Sequence, residues 1–256
     1  MRNERGGSYS LENFRHLALG EVSSTNTECL TRARQGEASG LWITAERQTA
    51  GRGRRGRAWT SEVGNLYASL LLIDPSPPEL LSSLPLAVSL AVHGTLRRVL
   101  PATAEAVEIK WPNDVLIGRK KSCGILLEAE ILPDGRRAVV CGIGINIRHR
   151  PETAPYGVTS LQEQGATSSA GEVFTHLFDE MIQILNIWDH GHGVAEVTRF
   201  WRSAACGIGT MIRVNLPDRS LDGVFVGIDD DGLLILETEN RLHHIAAGDV
   251  FLLETE

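Results

Sequence analysis

Lysine is almost missing from this 256-residue chain. It occurs three times, at Lys110, Lys120 and Lys121, while the other 22 strongly basic side chains are arginines. A general demand for positive charge therefore does not explain where the lysines stand. Cysteine is sparse too: Cys29, Cys123, Cys141 and Cys206 are far apart and form no CxxC pair. That excludes a dense disulfide framework and is expected of reduced thiols in a cytoplasmic protein. No run reaches the roughly 18 to 20 apolar residues of a membrane span; residues 84–96 come nearest, and His93 interrupts them. The first eight residues lack the apolar segment of a signal peptide. The eight histidines form no HExxH or Cys/His spacing, and no Gly-x-Ser-x-Gly elbow is present. A zinc site and a serine-hydrolase site are disfavoured accordingly.

The charge that is present is unevenly spread. The whole chain carries −7, and ten Asp or Glu against three Arg beyond residue 206 account for all of it. The first 206 residues balance at zero, so the acidic total leaves room for an anion site there. It also weakens the case for a broad nucleic-acid surface.

Periodicity and breakers divide the chain. Residues 1–12 read as a loose, flexible leader. Thr25 with Glu28 suggests a capping box opening a short helix that Gly36 ends. Strands are expected over 41–46, 65–73, 107–110, 122–131 and 138–147, and helices from about 78 to 100, over 171–188 and over 195–205. Beyond residue 207 the pattern turns to short strands, over 211–216, 223–228, 233–237 and 241–246. The spacing thus predicts an α+β chain with a main domain over 13–206 and a small all-β domain over 207–256.

Two segments carry chemistry. In Gln48-Thr-Ala-Gly-Arg-Gly-Arg-Arg-Gly-Arg-Ala-Trp59, glycines oppose helix and strand while Arg52, Arg54, Arg55 and Arg57 can converge on an anion. Read alone, the same segment could be a solvated charge run or an arginine/glycine arm for nucleic acid. It is not a Walker A loop, whose spacing the nearest approach, Gly118 to Ser122, does not meet. The second segment is Lys110-Trp-Pro-Asn-Asp114, followed by Lys121-Ser-Cys-Gly124. Its turn presents Asn113 and Asp114 close to Lys110. Asp114 has two roles open to it, binding Mg²⁺ together with phosphates or accepting a proton from an attacking amine. A weaker third signal is Gly142-Ile-Gly-Ile-Asn146, where glycines inside a strand mark the close approach of a ligand or a neighbouring backbone.

Together, Gly51-Arg-Gly-Arg-Arg-Gly-Arg-Ala-Trp59, Lys110-Trp-Pro-Asn-Asp114 and Lys121-Ser-Cys-Gly-Ile-Leu126 resemble the biotin protein ligases, the biotin–[acetyl-CoA-carboxylase] ligases. Ser24-Thr-Asn26, Gly64-Asn-Leu-Tyr67 and Gly142-Ile-Gly-Ile-Asn146 match as well, and the likeness runs from about residue 18 to the C-terminus. The resemblance implies a mixed β-sheet flanked by helices, of the class II aminoacyl-tRNA synthetase-like or biotin/lipoate ligase type, followed by a small SH3-like β-barrel. It implies ATP, biotin and Mg²⁺ as ligands. Ser24, Thr25, Asn26 and Gln48 would line the biotin pocket, and Gly51, Arg52, Gly53, Arg54, Arg55 and Gly56 would order over biotin and its adenylate. Trp59, Lys110, Asn113 and Gly124 belong to the same binding set. Lys121 would touch the biotin carboxylate and phosphate, Asn146 would lie near the nucleotide, and Lys121, Arg54 and Asp114 would carry the catalysis, with Asp114 the metal-associated carboxylate.

The family's adenine-stacking aromatic falls near Val158, which cannot stack, so apolar packing of the base is expected. Ser24 comes too early for the winged-helix domain of the repressor members, which implies a monofunctional ligase with no DNA or membrane partner. The acceptor would be a biotin carboxyl carrier protein or domain of acetyl-CoA carboxylase or a related carboxylase; a homodimer is left open. Lipoate or octanoate ligases and transferases are the nearest rivals, and a nucleic-acid-binding arginine loop is a rival of another class.

Overall fold

Runs of branched apolar residues between glycine and proline breaks pair into strands, and alternate residues on each strand supply two buried faces. The computed structural model describes residues 8–154, 156–239 and 241–253. Strands β1 (Arg15–Val22), β2 (Leu41–Gln48), β3 (Leu66–Ile73), β4 (Val107–Lys110), β5 (Asp114–Ile117), β6 (Lys120–Ile131) and β7 (Arg137–Ile145) form one sheet ordered β1-β2-β3-β7-β6-β5-β4. Only β1 and β2 pair in parallel; helix α1 (Thr25–Arg34) supplies the crossover such a pair requires. The sheet is therefore mixed, as expected.

The period of two decides which helix each residue meets. Leu41, Ile43, Leu71 and Val140 face α1 through Cys29 and Ala33. Trp42, Leu70, Leu72 and Val139 belong instead to the larger core that includes helices α2 (Leu84–Val99), α3 (Ala170–Trp188) and α4 (Val194–Ala204). Helix α2 buries ten residues, Ser89 and Thr95 among them. Their hydroxyls donate to Leu86 O and Ala91 O, each at 2.8 Å, which lets a polar group sit in the core without a lost hydrogen bond. Two tryptophans tie the layers: Trp188 Nε1 donates to Ser83 Oγ at 2.7 Å and Trp201 Nε1 to Ser89 Oγ at 3.1 Å. All four cysteines are free and buried.

The C-terminal strands β8 (Met211–Asn215), β9 (Ser220–Ile228), β10 (Leu234–Thr238), β11 (Arg241–Ile245) and β12 (Asp249–Leu252) correct one expectation. They form an open antiparallel sheet ordered β11-β10-β9-β8-β12, not a closed SH3-like barrel. Among the described residues β11 and β12 do not pair, so the ring never closes. At five and four residues these outer strands are short, and the sheet hides its apolar face by other means. Ile212, Val214, Phe225, Leu234 and Leu236 join the same core as α2. Trp111 Nε1 donates to Gly232 O at 3.3 Å, and Arg202 Nε donates to Ile228 O at 3.1 Å, across the junction.

Three strands had no counterpart in the sequence reading: β1, which is an edge strand containing Gly20, and the four-residue β5 and β12. Helix α1 begins one residue earlier than the Thr25 box implied, with Ser24 as its N-cap and no side-chain cap bond. Of the expected leader, residues 1–7 lie outside the described residues, as do 254–256 of the expected C-terminal domain. Tyr9 N donates to Asn186 Oδ1 at 2.7 Å, and Leu11–Asn13 form a single 3-10 turn.

Leu96 is wholly buried beneath the sheet. Leu96→Ala should lower stability by about 2–5 kcal/mol in urea unfolding, while the exposed Leu242→Ala should stay within about 0.5 kcal/mol.

Candidate active site

The floor of the site is a strip of glycine on two paired strands. Gly124 of β6 is the register partner of Gly144 of β7, and the Trp59 indole lies flat across both. A Cβ on Gly144 would fall 2.6 Å from Trp59 Cε2, and one on Gly124 2.8 Å from Trp59 Cζ3. Gly142 likewise leaves room for Asn26, whose Oδ1 would be 2.2 Å from an added Cβ. The glycines of the third signal thus admit two side chains of the protein itself.

Against this floor the N-terminus of α1 and the end of β2 form a hydrogen-bonded wall. Thr25 N and Oγ1 both donate to Gln48 Oε1, at 2.9 and 3.2 Å, and Gln48 Nε2 donates to Ser61 Oγ at 3.1 Å. Ser69 Oγ lies 2.7 Å from Thr25 Oγ1 and 2.6 Å from Asn26 Oδ1. Ser24, Thr25 and Asn26 are each at most 4% exposed. These groups are held by one another, so the pocket is preorganised.

Cations supply the opposite side. β4 and β5 form a hairpin closed by Trp111, Pro112 and Asn113, with the Trp111–Pro112 peptide in cis, and its register sets Lys110 across from Asp114. Asp114 in turn faces Gly124 of β6. Its Oδ1 meets Lys121 Nζ at 2.7 Å, and that ammonium lies 5.5 Å from the ring centres of both Trp59 and Tyr156, within cation–π range. Burial opposes the charge on Lys121, but the Asp114 carboxylate outweighs it and holds the pKa above the ordinary lysine value. Lys110 behaves differently: burial pushes its pKa down, with Asp114 opposing and Lys121 assisting. Arg54 is also lowered by burial, against the pull of Asp249. Its Nη1 donates to Asn113 Oδ1 at 3.1 Å, and Asn113 Nδ2 donates to Ile125 O at 2.6 Å.

These parts enclose a cleft of about 1000 Å³, including solvent at its mouth. Of the residues singled out from sequence, Ser24, Thr25, Asn26, Gln48, Arg52, Gly53, Arg54, Trp59, Lys110, Asn113, Asp114, Lys121 and Gly124 line it. Gly51 stands behind the wall, where a Cβ would lie 2.7 Å from Trp59 O. Arg55 does not line the cleft but pairs with Asp249 at 2.9 Å, as Arg57 does too, and Gly56 occupies the loop tip at φ +71°. Asn146 lines a second cavity of about 710 Å³ that shares Trp59, Lys121 and Tyr156 with the first; Val158 lines it too.

Asp249, Val250 and Phe251 also line the cleft and had no sequence signal. They come from β12, and only the docking of the C-terminal sheet brings them near. Lys110 Nζ lies 5.6 Å from the Phe251 ring centre. Tyr156 was missed as well; it arrives on a segment whose Gly157 O accepts from Lys121 N at 2.8 Å.

Residues 19–146 match the model of the biotin/lipoate A/B protein ligase family, and residues 207–253 match the biotin protein ligase C-terminal domain. The chain belongs to the biotin/lipoate A/B protein ligase family. It is similar to the bifunctional ligase/repressor BirA of Bacillus subtilis, with 34% identity over 93% of this chain and 74% of that one. It is also similar to the biotin–[acetyl-CoA-carboxylase] ligase of Paracoccus denitrificans, with 33% identity over 91% of this chain and 98% of that one. Among solved structures, the biotin protein ligase from Aquifex aeolicus in complex with biotin and ATP aligns with a TM-score of 0.78. The two share 30% identity over 94% of this chain and 99% of that one.

In this ligase the glycine floor admits a direct check. Gly144→Ala should displace the Trp59 ring, costing about 1–3 kcal/mol of stability and shifting tryptophan emission. Gly20→Ala, whose Cβ meets nothing within 4 Å, should do neither.

Proposed function

We propose that this ligase activates biotin with ATP as biotinyl-5'-AMP and transfers the biotinyl group to one lysine of a biotin carboxyl carrier domain. The observation that carries the reading is the meeting of three cations, Arg54, Lys110 and Lys121, in a cleft whose other wall is the fixed Thr25–Gln48 network. Similarity to a ligase solved with biotin and ATP supports the same substrates. The name of the Paracoccus relative supports acetyl-CoA carboxylase as the source of the acceptor.

Biotin would lie against Thr25, Asn26 and Gln48, with its carboxylate toward Lys121. The second cavity would take the nucleoside, its base packed on Pro151, Ala154 and Val158 beside the Tyr156 and Trp59 rings. Trp59 Nε1 is buried and has no acceptor among the described residues. In the first step a biotin carboxylate oxygen attacks the α-phosphorus of ATP and pyrophosphate leaves. Charge gathers where Arg54 and Lys121 stand, and fixed donors in a site of restricted solvent access stabilise that transition state strongly. In the second step an acceptor amine attacks the mixed anhydride carbonyl, an amide forms and AMP leaves. Asp114 is the carboxylate at hand to take the amine's proton.

Magnesium fits only as a companion of ATP. Among the described residues no three His, Cys, Asp or Glu side chains cluster as a metal site, and Asp114 supplies a single carboxylate. That suits an ion held mainly by phosphate oxygens, whose charge it would neutralise.

The test is incubation with ATP, Mg²⁺ and biotin, followed by a biotin carrier domain. Pyrophosphate release and a mass increase at one acceptor lysine are expected; reaction with lipoate and not biotin would reject the reading. Lys121→Ala and Arg54→Ala should each slow adenylate formation by about one to three orders of magnitude, at ~1.4 kcal/mol per tenfold. Rates within about twofold of wild type for both, on that same scale, would remove the roles given to them.

A further inference from the structure

Glu128 of β6 stands behind the cleft wall and yet touches two of its working parts. Its Oε2 accepts from Asn26 Nδ2 at 2.8 Å and from Arg52 Nη2 at 3.3 Å. Arg52 Nη2 also donates to Thr27 Oγ1 at 3.2 Å. The guanidinium is thereby drawn toward β6 and α1, while Arg54 two residues later stays with Asn113 in the cleft. A carboxylate beside an anion-binding cleft works against the ligand. Its presence calls for a reason, and the bonds it makes supply one.

The bond to Asn26 settles a choice that the amide cannot make alone. An asparagine side chain has an acceptor end and a donor end of nearly the same shape. Reversed, Asn26 would set its oxygen against the Glu128 carboxylate and the Leu126 carbonyl, both of which now accept from Nδ2. The observed orientation instead turns Oδ1 to the Ser69 hydroxyl. Ser69 is then free to act only as donor to Asn26 or Thr25, Thr25 donates to Gln48, Gln48 to Ser61, and Ser61 to Trp59 O at 3.2 Å. Ser69 has one proton to give, and from Thr25 onward donation runs in one sense to the Trp59 backbone carbonyl.

We infer that Glu128 is a positioning residue that sets the Asn26 amide in the pocket and straps the entering arm of the Gly/Arg loop through Arg52, so one carboxylate orders both the pocket and its cover. The inference rests on the reading of the cleft as a biotin site. It assigns Arg52 to holding the loop, apart from the anion work of Arg54. The two arms separate chemically. Glu128→Gln keeps an acceptor oxygen for Asn26 but loses the charge that holds Arg52, whereas Glu128→Ala removes both.

The experiment compares wild type, Glu128→Gln, Glu128→Ala, Arg52→Ala and the Arg52→Ala/Glu128→Gln double variant. Each is measured for biotin affinity by calorimetry, for the loss rate of preformed biotinyl-5'-AMP, and for melting temperature. Glu128→Ala should bind biotin about tenfold more weakly, the scale of a misdirected buried polar group, while Glu128→Gln stays within about twofold. Glu128→Gln and Arg52→Ala should each lose adenylate about two- to fivefold faster, the range for a partly exposed ion pair. The double variant should be no faster than either. Wild-type biotin affinity in Glu128→Ala, or loss rates that multiply in the double variant, would overturn the role of Glu128. Should Glu128→Ala melt early, the Glu128→Gln and Arg52→Ala pair still decides the strap. A wild type that binds no biotin would reject the site assignment itself, and that result is read without any variant.

Discussion

Lys121 is largely buried beneath Trp59 and Tyr156, yet the Asp114 carboxylate 2.7 Å away keeps its ammonium charged. Much of the site follows from satisfying that pair. A buried amine without a partner would shed its proton, because desolvation disfavours the charged form. The partner must therefore be delivered by a rigid element, and the β4–β5 hairpin does so by placing Asp114 at the first position of β5, opposite both Lys110 and Gly124. Gly124 keeps that neighbourhood open enough for the Trp59 indole to cover the lysine chain. Burial lowers Lys110 and Arg54, and an incoming anion would oppose that shift by favouring their charged forms. The cleft is short of negative charge until substrate brings it.

The C-terminal sheet takes part in this balance. All of the net acidic charge lies there by sequence, but the structure assigns one member of it, Asp249, to Arg55 and Arg57. Gly248 O, just before the same strand, accepts from Arg54 Nη2 at 3.4 Å. The Gly/Arg loop is thus anchored at both ends, by Asp249 on β12 and by Glu128 on β6. Between those anchors its glycines supply backbone freedom, with Gly56 and Arg55 both at positive φ. An open sheet can offer its outermost strand to a neighbour in this way. A closed barrel would have used that strand to complete itself.

Much of this was legible in the chain. Rare lysines beside Trp111-Pro-Asn-Asp114 and a glycine-spaced arginine run are local patterns, and both lie in one cleft. The long helices and the buried strands β3 and β7 announced themselves by apolar period and length. The edge strand β1 and the four-residue β5 and β12 did not, because their residues are half exposed or too few to show a period. Tyr156, Glu128 and Asp249 were unreadable for a different reason. A lone tyrosine, glutamate or aspartate in a strand or loop has no spacing to mark it, and its meaning comes from partners 35 to nearly 200 positions away.

By itself the sequence determined the chemistry available: which side chains carry charge, where glycine removes a side chain, and where turns must fall. Those are properties of each residue and its near neighbours, so they survive without a fold. The tertiary structure alone decided which charges are paired and which stay free for a ligand. Asp114 went to Lys121, Glu128 to Asn26 and Arg52, and Asp249 to Arg55 and Arg57, leaving Arg54 and Lys110 facing the cleft. Pairing depends on strand register and on the docking of two sheets, and neither is written in local spacing. The same held for closure of the C-terminal strands, where competition between pairing edges and burying a face in the main core could be resolved only in three dimensions.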